Sequence, residues 1–169
     1  MAGNHHIGRL IASLLTCLVP GYFALYCFTT SIPGWYSTLN KPDFVPPDII
    51  IFYAIIAVFC LLGLALYTVW TAGPSDHEIQ TAMQFLIFTL VLLMVWFIVF
   101  FPFEAVFLGL VVMVMAVAAL LCTLMQSLRC TVSSTFFLVP CLILLLIFCI
   151  ANFQIYLMNP GIPVWGELL

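Results

Sequence analysis

Five apolar runs, each long enough to cross a bilayer and free of charge at its centre, leave this chain few ways to fold. They cover about Ile7–Thr30, Asp48–Thr71, Ile79–Phe101, Ala105–Ser127 and Thr135–Met158. A hydrocarbon core about 30 Å thick is crossed by roughly 20 helical residues. Within lipid every backbone N–H and C=O must be satisfied by the segment itself, which selects helices. Composition closes the alternative of a soluble domain: 66% of the residues are hydrophobic and 5% are charged, too few to cover a wetted surface. The expected fold is an all-α membrane protein, a five-transmembrane-helix bundle forming a single domain over residues 1–169. The expected partner is the lipid bilayer, and the expected location is integral and multi-pass. The net charge of −3 comes from very few charges, and no basic patch offers a surface to nucleic acid.

The long polar break in the first half is Trp35-Tyr36-Ser37-Thr38-Leu39-Asn40-Lys41-Pro42-Asp43-Phe44-Val45-Pro46-Pro47. Proline fixes its own φ and pushes the preceding residue out of the α region. The clustered prolines therefore predict a semi-rigid, non-helical segment. Aromatics held on such a segment suit a lid over a pocket; they equally suit a connecting loop at the membrane interface.

Elsewhere the sequence predicts local features. Pro20-Gly21 predicts a kink in the first span. Asp48 is placed to favour the N-terminus of the second helix, and Ser75 or Asp76 to cap the third. Phe101-Pro102-Phe103-Glu104 predicts a tight turn between antiparallel third and fourth helices. Gly109, Val112, Ala116, Ala119 and Thr123 recur at helical spacing, a pattern that lets helices approach closely in lipid. Ser133 to Thr135 begin the fifth helix, and Trp165 in the tail suits the interface. Six of the seven cysteines fall within the spans, without metal-binding spacing, and read as small buried hydrophobes.

Little chemistry is available. No span carries an ionisable side chain near its centre, which argues against a proton relay. No catalytic residue, metal site or resident cofactor is assigned. What remains is aromatic surface with a few hydrogen-bonding groups. Thr89, Leu93, Trp96 and Phe100 share one face of the third helix, and Leu144, Phe148, Asn152, Ile155 and Asn159 share one face of the fifth. Phe52 and Phe59 share a face of the second, with Tyr26 approaching from the first. Asn152 in lipid wants partners, either an interhelical hydrogen bond or a ligand. A cavity lined this way accepts a large, flat, apolar molecule with few polar edges.

The first-loop pattern W-Y-x-x-L-x-K-P-x-F-x-P-P resembles a signature of the TspO/MBR family, the tryptophan-rich sensory or translocator proteins. Trp96 with Phe100-Phe101 resembles that family's W-x-x-x-F-F. Pro140, Asn152 and Asn159 fall where its fifth helix has P-Y-x-x-W, then L-N, then a terminal L-N. The resemblance implies a five-helix bundle binding a tetrapyrrole such as porphyrin or haem, or a sterol-like molecule, beneath the first loop. Many members are dimers, so it also implies a homodimer. The candidate ligand-binding residues are Tyr26, Trp35, Tyr36, Pro46, Ile55, Phe59, Trp96, Phe100, Leu144, Phe148 and Asn152.

The chain departs from the family pattern at four places. Ile55 and Leu144 stand where the family has tryptophan, Cys141 where it has tyrosine and Leu93 where it has an asparagine. Loss of those π faces weakens porphyrin stacking and disfavours light-driven porphyrin breakdown, while an isoprenoid or sterol fits better. The leading expectation is a membrane receptor or carrier for a tetrapyrrole or similar apolar ligand. A scaffold or assembly subunit without a ligand is the alternative, and a porphyrin-degrading membrane enzyme is a third.

Overall fold

The computed structural model describes residues 2–72 and 76–162. Six helices follow one another: α1 (Ala2–Ser31), α2 (Trp35–Thr38), α3 (Asp48–Trp70), α4 (Asp76–Phe100), α5 (Val106–Cys130) and α6 (Val132–Met158). All but α2 are long and apolar enough to cross a membrane. The protein is thus an all-helical integral membrane protein, as the apolar runs predict. Helix ends shift by a few residues from the expected bounds. The largest shift is at the start of α1, which begins at Ala2 and continues helical through Pro20.

Small residues set how closely the helices pack. Gly21 of α1 lies against Phe59 of α3, where an added Cβ would fall 2.8 Å from the ring. In α5 the predicted stripe of Gly109, Val112, Ala116, Ala119 and Thr123 is buried along its whole length. Thr123 Oγ1 lies 3.1 Å from Thr89 Oγ1 of α4, and each hydroxyl also meets the carbonyl four residues earlier in its own helix. The turn between α4 and α5 is tight: Phe103 N donates to Ile98 O and Ala105 N to Val99 O. Glu104 takes a left-handed φ of 55°, unusual for a residue with a Cβ, to complete it.

Caps follow local chemistry. Asp48 opens α3 in its first turn, as predicted. Thr131 caps α6, its side chain accepting from Ser133 N, so the helix starts at Val132. The proposed cap at Ser75 or Asp76 and the interfacial Trp165 lie outside the residues whose side chains are described. Of the cysteines, Cys17, Cys27 and Cys141 are buried; Cys60, Cys130 and Cys149 are half-buried and Cys122 is exposed.

The first loop corrects one expectation. Its opening residues Trp35–Thr38 form a helical turn. The prolines that forbid helix lie further on, at Pro42, Pro46 and Pro47, so they do not reach this turn. Two hydroxyls stitch it: Ser37 Oγ donates to Gly34 O and Thr38 Oγ1 to Trp35 O, both at 2.7 Å. From Leu39 the chain is extended or turned until Pro47, as proline requires.

Candidate functional site

The first loop folds back over one end of the bundle and is fastened there. Its Leu39 and Pro42 are buried. Asn159, at the end of α6, grips the backbone of Asn40 with both amide groups. Its Oδ1 accepts from Asn40 N at 2.9 Å, and its Nδ2 donates to Asn40 O at 2.9 Å. The same Nδ2 donates to Ile155 O at 2.7 Å, which fixes the amide on its own helix.

Tyr36 is the inner anchor. Its ring is 4% exposed and packs edge-on against Phe28 of α1 and tilted against Phe101. The Lys41 ammonium sits over the same ring, 3.6 Å from its centre, a favourable contact between a cation and a π face. Burial, with the nearby Asp48 carboxylate adding to it, pushes the Tyr36 phenol up to about 12. Burial pulls Lys41 below the ordinary lysine range while Asp48 opposes it.

Beneath the loop lies a cavity of about 200 Å³, walled by the loop, α3, α4 and α6. Eight of the eleven residues singled out in the sequence line it: Tyr36, Pro46, Ile55, Trp96, Phe100, Leu144, Phe148 and Asn152. Three do not. Tyr26 is 59% exposed on the outer face of α1, so the expectation that α1 contributes a wall fails. Phe59 is fully buried one layer behind, against Phe97. Trp35 is half-buried and packs edge-on to Phe100, supporting the wall from outside.

Ten further residues line the cavity, among them Phe44, Ile50, Ala54, Ile147 and Ala151. Phe44 belongs to the loop signature itself and was legible there. Ile50 and Ala54 of α3, and Ile147 and Ala151 of α6, carry no mark that separates them from lipid-facing positions.

Trp96 is the centre of the wall. It stacks on Phe100 at 5.4 Å and lies parallel to Phe148 at 6.2 Å. Its polar edge is committed. With the Asn152 amide oriented to match its neighbours, Oδ1 accepts from Trp96 Nε1 at 2.9 Å and from Leu110 N at 3.2 Å, while Nδ2 donates to Val106 O at 3.1 Å. Asn152 therefore ties α6 to α4 and α5. Gly109 makes room for this, since a Cβ there would meet Phe100 at 3.2 Å and the Asn152 amide at 3.4 Å. The amide and the indole satisfy each other, and the cavity surface is left almost wholly apolar.

A five-helix membrane bundle with an apolar, aromatic cavity under a proline-stiffened first loop defines the class. The family model for the TspO/MBR family matches residues 12–157. The chain is 30% identical over 156 residues to the "Tryptophan-rich protein TspO" of Archaeoglobus fulgidus, covering 91% of this chain and 99% of that protein. It is 29% identical over 158 residues to the protein of the same name from Chlorobaculum tepidum, covering 93% and 99%. This chain belongs to the TspO/MBR family.

Proposed function

We propose that this protein is a membrane receptor or carrier for a large apolar ligand of tetrapyrrole, sterol or isoprenoid type, held beneath the first loop. The observation that carries this reading is the apolar cavity itself, lined by one indole and five phenyl rings. For a ligand taken from water, burying apolar surface there contributes about 25 cal/mol per Å²; for one already in lipid, packing against these walls holds it. The cavity volume of about 200 Å³ is below the roughly 300 Å³ at which sites for drug-sized ligands begin. A tetrapyrrole thus requires the cavity to widen. Phe44, half exposed on the loop, is a wall residue with room to move.

Trp96 is the cavity's one indole, since Ile55 and Leu144 occupy the other two family positions. Binding is therefore expected without efficient light-driven breakdown of a porphyrin. One observation favours a ligand-free scaffold instead: the Asn152 amide is fully used between helices. Titration with protoporphyrin in detergent, in the dark and under illumination, separates the readings. A saturable shift of the porphyrin absorption band, stable in light, supports the receptor. No shift supports the scaffold, and light-dependent bleaching by the protein supports the enzyme.

A further inference from the structure

We infer that the cavity is loaded sideways from the hydrocarbon of the bilayer, through a slit between α3 and α6, and that its ligand is a neutral molecule dissolved there. This rests on the binding reading above. Three observations carry it.

The first is where the cavity wall is open. Half of the lining residues are buried, including Tyr36, Ile51, Ile55, Trp96 and Asn152. The exposed ones are Ile50 on α3 at 52%, Ile147 on α6 at 42% and Phe44 above them at 48%. Ala54 and Ala151 lie one helical turn further along the same two faces, and both are half-buried. Two alanines in register with two exposed isoleucines leave a gap where larger side chains would close the helices together. Ile147 sits in the middle of the α6 span, so the opening there faces lipid, while Ile50 and Phe44 lie toward its loop end.

The second is that the loop side is fastened. Asn159 holds Asn40 by two hydrogen bonds, Tyr36 is packed among Phe28 and Phe101, and Lys41 caps its ring. Entry from water would have to undo these together. Entry through the slit requires only side-chain rotation of Ile50, Ile147 and Phe44, a fast motion for exposed residues.

The third is chemical. Asn152 and Trp96 use each other's polar groups, so a charged or strongly polar group brought fully inside would be desolvated without a partner. A neutral ring or chain already dissolved in lipid incurs no such cost.

Lipid quenching tests the route without any ligand. In the full-length protein with Trp35, Trp70 and Trp165 replaced by Phe, Trp96 is the remaining indole. In vesicles of phosphatidylcholine brominated on the upper acyl chain, Trp96 emission should be quenched, and aqueous iodide should not quench it. Ala54→Leu and Ala151→Leu fill the slit and should cut the lipid quenching roughly threefold, as added methylenes occupy the gap. Ile147→Ala opens the slit without burdening the fold and should deepen quenching. Asn159→Ala, which frees the loop, should leave it unchanged.

Iodide quenching that rises with Asn159→Ala, or lipid quenching indifferent to both the filling and the opening substitutions, would overturn lateral loading. Protoporphyrin dimethyl ester, presented in the same vesicles, supplies the ligand arm. The neutral ester should bind at least as tightly as the free acid; a clear preference for the acid overturns the neutral-ligand inference. Binding of neither compound counts against the receptor reading, and the lipid-quenching result still decides the route.

Discussion

The seam between α4 and α5 and the seam between α3 and α6 are built from the same apolar alphabet, yet one is closed and the other gapes. On α5 the small residues Gly109, Ala116 and Ala119 are buried throughout, and Gly109 lies against Phe100 of α4. A buried pair of threonines adds a polar stitch midway along it. Between α3 and α6 the small residues Ala54 and Ala151 belong to both helices and leave the cavity open between them. A second, shallower hollow lies further along the same pair of helices, around Leu61, Phe137 and Pro140. Small residues close a membrane interface only when something large fills the space they vacate. The same residue type seals one seam and opens the other, and the identity of its neighbours decides which.

The strongest challenge to the closed seam is Gly109→Val. Its Cβ would already crowd Phe100 at 3.2 Å before the added methyl groups are counted. We expect a loss of about 3 kcal/mol, the upper end of overpacking costs, read as a lowered thermal midpoint in detergent. Next is Asn152→Leu, which strands the Trp96 indole N–H in an apolar wall. It should cost about 2 kcal/mol and shift Trp96 emission. A variant as stable as the parent would show that the three-helix tie is incidental.

On the open side, Leu144→Trp places an indole beside Phe148 and Trp96 on the cavity wall. It should tighten porphyrin binding by about 1 kcal/mol, the worth of an aromatic stack beyond its area, measured by absorption titration. Weaker binding would mean that the added ring fills the cavity and does not line it. Thr123→Val removes the Thr89 partner and should cost only about 0.6 kcal/mol, a typical value for such a bond in lipid. The last effect is seen only at high pH and concerns the loop above the slit. Folding holds the Tyr36 phenol neutral, raising it from 10.0 to about 12. The unfolded phenol ionises first, so the stabilisation is complete below pH 10 and is lost as pH rises toward about 12. Thermal melts across that window should flatten in Tyr36→Phe.

How much of the site was legible depended on whether a residue's chemistry or its neighbours set its role. Trp96, Phe148 and Asn152 announced themselves, because an indole or an amide in a lipid span needs a particular environment. Tyr26 misled for the opposite reason. An aromatic near a helix end suits a cavity and an interface equally, and only the rotation of α1 put its ring outside. Phe59 was placed on the correct helix but on the wrong layer, since spacing gives a face and not a depth.

The sequence by itself determined that this protein crosses the membrane on five helices, because no other structure satisfies so long an apolar backbone in lipid. It also determined that the chain around Pro42, Pro46 and Pro47 is not helical, because proline geometry is local. The tertiary structure alone decided which side of the cavity is open. In a chain this apolar every helix face is hydrophobic, so periodicity does not separate a face that meets lipid from one that meets another helix. That distinction at Ile50, Ala54, Ile147 and Ala151 arises from how α3 and α6 are set against each other, a relation carried by no single segment.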